Sequence, residues 1–349
     1  MPTLDSATDR LVGQRLMVGF DGTQWNADLA FCIHKLMPGG LILFKINVDT
    51  PRQVRQLCAD AQQCAADNGL PPLIIAVDQE GGPVARLRPP AFPHFKGATE
   101  LNGPADADAF ARLAADVLGP IGINMDMAPV LDLDCQAVES VMRSRAFGPD
   151  PQTVTPMGLA IIEGLQKRGI MAVGKHFPGI GRTTLDSHLE RPDLETDRET
   201  LLKEECAPFQ AAITKGVAAI MLAHLRYTAL DPEWPASLST KVVQDLLRDR
   251  MGFDGVVMTD DLDMGAIVRH YPDALLLERI IRAGVDIALI CHKGPRRDQA
   301  LDHLKGALEK NPRSDEHQKS VGRILALKQR FLNCVSGSPS GKNLTTRVR

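Results

Sequence analysis

Met171-Ala172-Val173-Gly174-Lys175-His176 is a short apolar run that stops abruptly at a cation and an imidazole. A strand buried on both faces reads as a continuous aliphatic stretch, without alternation of apolar and polar residues. Upstream, Pro151–Arg168 carries a helical pattern, and Gly169 stands where a C-cap glycine belongs. The pair predicts a helix feeding a buried strand, with polar side chains where the strand ends. Working outward, the same unit recurs. Further candidate strands are Arg15–Phe20, Gly40–Phe44, Leu73–Val77, Ile123–Met127, Ala218–Ala223, Gly255–Thr259 and Asp286–Cys291. Amphipathic segments lie between them: Pro51–Asn68, Ala105–Leu118, Arg198–Lys215 and Thr240–Arg250. Thr50-Pro51 places an N-cap before a helix-opening proline, and Gly69 falls at a C-cap.

Eight strands alternating with helices in 349 residues predict an α/β fold, a single (β/α)8 TIM-type barrel. A doubly wound open sheet is the structural alternative. The catalytic barrel is expected over residues 1–335. Residues 336–349, rich in Ser, Gly and basic side chains, are expected to be a loose tail.

Composition narrows the class. An apolar fraction of 44% with 24% charged residues suits a globular chain. A net charge of −3 argues against a nucleic-acid partner held by a strong basic field. No apolar run reaches the roughly 18 residues that a membrane span requires. The polar stretch Met1–Arg10 has no apolar signal core, which sets a cytoplasmic location as the expectation. The seven Cys form no Cys-x-x-Cys pair and are expected to be reduced thiols, with no zinc or disulfide framework.

A buried parallel strand has no structural need for charge. Yet Asp78, Asp126, Lys175-His176, His224, Asp260-Asp261 and His292 all stand at the C-terminal ends of candidate strands. One such Asp is ordinarily a helix cap. Six strands doing it together point to a site, because a barrel gathers those ends at one mouth. As a set, the groups suit glycoside hydrolysis. That reaction needs a carboxylate for an oxocarbenium-like centre and an acid for the leaving oxygen. Asp260 suits the first role, and Asp186 or His188 the second. By itself, Asp186-Ser187-His188 reads as an Asx-type turn with a surface histidine. Its place after the Pro- and Gly-containing loop Phe177–Gly181 favours the catalytic reading.

Lys175-His176-Phe177-Pro178-Gly179-Ile180-Gly181 with Asp186-Ser187-His188 resembles the signature of family-3 glycoside hydrolases, specifically the single-domain bacterial β-N-acetylglucosaminidases. Four more segments agree in order: the Asp78-Gln79-Glu80-Gly81-Gly82 block, Met127-Ala128-Pro129-Val130-Leu131-Asp132, Ser144-Arg145-Ala146-Phe147-Gly148, and Thr259-Asp260-Asp261-Leu262-Asp263-Met264. The resemblance spans roughly Leu11 to Leu332. It implies a retaining hydrolase that removes terminal β-linked N-acetylglucosamine from small soluble glycans or muropeptides released from the cell wall. It implies Asp260 as the nucleophile, His188 as the general acid/base and Asp186 as the group holding His188. Asp78, Arg86, Arg145, Lys175 and His176 are implied to bind the sugar. No cofactor or metal is expected. The family pattern makes Asp260, rather than Asp261, the nucleophile, and strand alternation predicts that only one of the two faces the mouth. Two departures are visible: Ile180 where the family often has a histidine, and Pro83 where it often has an arginine.

Three other readings compete. A β-glucosidase or β-xylosidase of the same family usually draws its acid/base from a second domain, whereas this chain carries the Asp-x-His triplet. A metal-dependent barrel hydrolase would use His176, Asp186, His188, His224 and Asp260 as ligands, but Lys175 would set a cation beside the metal. A non-catalytic sugar-binding protein would stack sugars on aromatic rings, and only two Trp and two Tyr are present.

Overall fold

Successive residues of the apolar runs point into two different cores, which is what burial on both faces requires. Ile74 and Ala76 pack inside with Met17, Ile42, Met125, Met171 and Met258, while Ile75 and Val77 pack outside among helix side chains. Each aliphatic side chain buried this way contributes about 1.5–3 kcal/mol. The computed structural model describes residues 6–135, 140–183, 193–310 and 314–332. The tail expected at 336–349 lies outside the described residues.

All eight expected strands form: β1 (Leu16–Val18), β2 (Gly40–Leu43), β3 (Ile74–Val77), β4 (Met125–Asp126), β5 (Met171–Phe177), β6 (Ala219–Leu222), β7 (Val256–Asp261) and β8 (Ile287–Ile290). Each runs parallel to the next, and β8 returns to β1 with Leu16 opposite Ala288, so the barrel closes. Closure rules out the open-sheet alternative, which would have left two edges.

The principal α-helices are α1 (Ser6–Gly13), α2 (Pro51–Asp67), α3 (Pro104–Leu118), α4 (Pro151–Gln166), α5 (Ala207–Thr214), α6 (Asp273–Ala283), α7 (Ala300–Lys310) and α8 (Ser314–Leu332). The Thr50 side chain caps α2 by accepting from Gln53 N, as its sequence predicts. The helix expected over Arg198–Lys215 is instead broken, and α5 begins only at Ala207. Pro208 is the reason, since it has no N–H to continue the ladder. Lys241–Arg250 is helical but π-wound. The last helix closes the N-terminal end of the barrel, where Ile324, Leu327 and Phe331 join the inner core. An ion cluster ties it there: Asp286, wholly buried at the start of β8, accepts from Arg248 Nη2 at 2.8 Å and Arg323 Nη2 at 2.8 Å. The opposite end stays open.

Candidate active site

The open, C-terminal end holds a cavity of about 390 Å³. Asp78 enters it from the end of β3, Lys175 and His176 from β5, Asp260 and Asp261 from β7, and His292 from beyond β8. Arg86 and Arg145 reach it from loops. Every sugar-binding residue expected from sequence therefore shares one cavity with Asp260. Asp186 and His188 lie outside the described residues.

The segment after β3 shows how local sequence builds this wall. Gln79 is a staple: its Oε1 accepts from the Arg86 and Leu87 amides, each at 3.0 Å, and its Nε2 donates to Leu87 O at 3.1 Å. That folds residues 79–87 back on themselves and carries Arg86 to Asp78, with Nη2 donating to Oδ2 at 2.9 Å. Gly81 turns the chain at φ +87°, and a β-carbon there would meet Lys96 O at 2.0 Å. Pro83 lies exposed on this turn, away from the cavity lining, so its departure from the family pattern leaves the Arg86–Asp78 pair intact.

An alternating array of charges crosses the cavity floor. Lys175 Nζ donates to Asp78 Oδ1 at 2.9 Å and reaches Glu80 Oε1 at 2.6 Å. Arg145 grips Glu80 with two bonds, Nε at 2.9 Å and Nη2 at 2.7 Å. Burial alone would push Asp78 and Glu80 up, but Lys175 with Arg86 or Arg145 holds both below the usual carboxylate range. The same carboxylates hold Lys175 above its ordinary value despite its burial. Both acids, Lys175 and Arg145 are thus fixed in charged form. Removing one member of such a buried set costs about 3–5 kcal/mol, because its partner is left uncompensated. A lysine ammonium has three donors, so Lys175 keeps one for a ligand hydroxyl.

His176 is fixed from below by Asp132. This carboxylate is wholly buried and accepts from His176 Nδ1 at 2.7 Å, from His176 N at 3.1 Å and from Ile180 N at 2.9 Å. The bond at Nδ1 turns Nε2 toward the cavity, 4.0 Å from Asp260 Oδ2. Ile180 places an apolar side chain at the cavity wall while its amide serves Asp132, a role that any residue but proline can fill.

Asp260 Oδ1 accepts from the Asp261 amide at 2.8 Å, which leaves Oδ2 for the cavity. Burial would raise the Asp260 carboxyl, but the His176 and His224 imidazoles bring it below its ordinary value. His224 lies behind, buried. Its Nδ1 contacts Ser237 Oγ at 2.8 Å and its Nε2 contacts the Asp261 carbonyl at 3.0 Å. With both ring nitrogens engaged, His224 is not arranged as the metal ligand that the rival reading required. Among the described residues, no group of three or more His, Cys, Asp or Glu is placed to hold a metal.

One expectation needs correcting. Both Asp260 and Asp261 line the cavity, because the β7–β8 register shifts between Met258 and Asp261 and breaks strict alternation. The two remain distinct. Asp261 Oδ1 accepts from the amides of Asp263 at 3.0 Å and Cys291 at 3.1 Å, so it pins the strand end. A similar shift in β5, between Gly174 and Phe177, lets consecutive Lys175 and His176 both face the cavity. Asp126, counted among the strand-end acids, does not reach it. Wholly buried in β4, it accepts from Gln79 N at 3.0 Å and is pushed well above the usual range by burial.

Sequence reasoning assigned no role to Glu80 or Asp132, although both sit in the motifs, and gave His224 only a strand-end position and a place in the rival metal site. Glu80 carried a signal, since on an alternating strand it shares a face with Asp78. The partners of Asp132 and His224 carried none, because their bonds run to residues distant in sequence.

Comparison with known proteins identifies the family. The profile described as Glycosyl hydrolase family 3 N terminal domain matches residues 7–327. A beta-hexosaminidase of Nitrosomonas eutropha is 36% identical over 300 residues, covering 83% of this chain and 84% of its own length. One of Pseudomonas aeruginosa is 35% identical over 294 residues, covering 83% of this chain and 86% of itself. A glycoside hydrolase family 3 beta-N-acetylglucosaminidase from Paenibacillus superposes with a TM-score of 0.90 at 37% identity, over 97% of this chain and 65% of that one. The Beta-N-acetylhexosaminidase of Beutenbergia cavernae gives 0.84 at 28% identity, over 92% and 98%.

Proposed function

This chain belongs to glycosyl hydrolase family 3 and is a glycoside hydrolase of the β-N-acetylhexosaminidase class, and from that premise we propose a retaining mechanism with Asp260 as nucleophile and His188 as general acid/base. The observation that carries the reading is the Asp260 carboxylate. It is ionised, has one oxygen free for the cavity, and stands opposite the fixed array of Asp78, Arg86, Lys175, Glu80 and Arg145.

Asp260 attacks the anomeric carbon of the terminal N-acetylglucosamine as the glycosidic bond breaks, and the leaving oxygen takes a proton from His188. The sugar is left as an ester of Asp260. Water then attacks the same carbon, His188 takes its proton, and Asp260 is released as a carboxylate with net retention. An imidazole near its unperturbed pKa of ~6.5 is suited to both steps at neutral pH. Asp186 holds it as a triad carboxylate does. The charged array binds hydroxyls and the N-acetyl sugar through donors and lone pairs that its internal bonds leave over.

The cavity supports a reading of the substrate class. Its volume is about 390 Å³ and its described lining residues include no Trp or Tyr, which favours a short soluble glycan such as a peptidoglycan fragment over a long polymer. Among the described residues no helix is long and apolar enough to cross a membrane. We place the activity in the cytoplasm, on cell-wall fragments. The test is a side-by-side assay of chromogenic β-N-acetylglucosaminide and β-glucoside, with Asp260→Ala and His188→Ala as controls. Preference for the N-acetyl sugar, lost in both variants, is the expected result. Equal rates on both sugars refute the specificity, and full activity in Asp260→Ala refutes the mechanism.

A further inference from the structure

At the barrel end opposite the sugar cavity, three side chains from two segments meet. His34 belongs to the helical turn Cys32–Leu36, which precedes β2, and Cys64 and Asn68 lie at the end of α2, which leads toward β3. Cys64 Sγ lies 3.5 Å from His34 Nε2, and His34 Nδ1 lies 3.2 Å from Asn68 Oδ1. Asn68 is itself oriented. Its Nδ2 donates to the Cys64 carbonyl at 2.7 Å and lies 3.6 Å from Cys64 Sγ.

That orientation settles the imidazole. With Nδ2 committed to Cys64, Oδ1 is the atom facing His34, and an amide oxygen only accepts. His34 must therefore carry its proton on Nδ1, which leaves the Nε2 lone pair facing the thiol. Nucleophile, base and orienting group are in hydrogen-bond sequence, the arrangement by which a weak nucleophile is activated. The sulfur is half-buried, and burial together with the Asp67 carboxylate pushes its thiol up. Cys64 thus rests as a neutral thiol and reacts only when His34 takes its proton. Cys32, Cys58, Cys206 and Cys291 are buried and have no such partner arrangement among their described contacts.

We propose that Cys64 is a reactive thiol, activated by His34 and oriented by Asn68, that exchanges with low-molecular-weight disulfides. In the step, the Cys64 proton passes to His34 Nε2 and the thiolate attacks one sulfur of the disulfide. A new Cys64–S–S bond forms as the old S–S bond breaks. The departing thiolate takes the proton from His34 and leaves as a thiol, so no further oxidant is consumed. His34 is exposed and Cys64 partly so, which admits a small soluble reagent.

The test is the rate at which the full chain reacts at pH 7 with a chromogenic aromatic disulfide, resolved by peptide mapping so that each cysteine is followed separately. Oxidised glutathione serves as the second probe. His34→Ala is expected to slow modification of Cys64 at least ~10-fold, since a positioned base contributes that much or more. Asn68→Ala is expected to slow it by less, because the ring stays but its tautomer is released. The fast phase should vanish in Cys64→Ser, whose hydrolysis of the chromogenic glycoside should be unchanged and so reports that the barrel is folded. Equal Cys64 rates in the wild type and His34→Ala overturn the proposal, as does a Cys64 rate no faster than that of the buried cysteines. Neither outcome bears on the sugar site.

Discussion

Replacing Asp132 by Asn tests whether the hidden carboxylate beneath His176 governs the chemistry. Asp132 Oδ2 takes His176 Nδ1 at 2.7 Å, and Oδ1 takes Ile180 N at 2.9 Å. Asn keeps the shape but has one acceptor oxygen and one amino group. If the oxygen stays with His176, the amino group meets the Ile180 N–H, and that buried donor is left unsatisfied. If the oxygen stays with Ile180, the amino group meets His176 Nδ1 and forces the ring to carry its proton on Nε2. The first arrangement orphans a buried donor, the second forces the other tautomer on His176, and in both the remaining bonds cease to be charge-assisted. An unsatisfied buried group costs about 1–3 kcal/mol and the lost charge assistance about 1 more. Stability should fall by about 2–4 kcal/mol, or roughly 3–5 °C in Tm for a chain of 349 residues. Activity should fall further than a folding defect explains, because Nε2 faces Asp260 at 4.0 Å and the cavity. We expect kcat/KM on the chromogenic N-acetylglucosaminide to drop about 10²-fold, equal to about 2.7 kcal/mol, at a temperature where the variant is fully folded. A variant with lowered Tm but unchanged kcat/KM would refute the claim that Asp132 positions His176 for the reaction.

The two acids at the end of β7 should separate cleanly. Asp260→Asn should lose at least ~10³-fold in kcat, whereas Asp261→Asn, whose amide oxygen can still accept from Asp263 and Cys291, should stay within about tenfold; comparable losses would refute the assignment. Gly181→Ala should cost more than about 3 kcal/mol and most of the activity, since its β-carbon would lie 1.8 Å from Leu133 O, one residue beyond Asp132; urea unfolding measures the first, and a near-neutral result refutes it. Glu205 supplies a pH test. Burial pushes its carboxyl up to about 7 even though Arg182 Nε donates to Oε1 at 2.7 Å. Between about 4.5 and 7 the unfolded chain has lost this proton while the folded chain keeps it, so its contribution to stability falls as pH rises, by about 3 kcal/mol in all. Glu205→Gln should flatten that fall between pH 5 and pH 8, and an unchanged slope removes Glu205 as its source.

Much of this protein is legible in one dimension. The positions of all eight barrel strands follow from aliphatic runs, because a strand buried on both faces must be apolar along its whole length. The site's wall follows as well. Asp78, Lys175, His176 and Asp260 stand where those runs stop, and a barrel leaves such positions only one place to meet. The helices were legible where caps and periodicity agree, as at Thr50 and Pro51, and not where Pro208 breaks the ladder inside an otherwise amphipathic stretch.

What the sequence determined by itself is therefore the alternation of buried and polar residues, and with it the barrel and the residue types at its mouth. Tertiary structure alone decided their partners. Asp132 reaches across 44 positions to His176, Lys175 across 97 to Asp78, and Arg145 across 65 to Glu80. It also decided, through register shifts in β5 and β7, that neighbouring residues share a face where alternation would have parted them. The reason is physical. Burial is a property that each residue carries in its own chemistry, whereas a hydrogen bond between distant residues exists only once strand closure has fixed the distance between them.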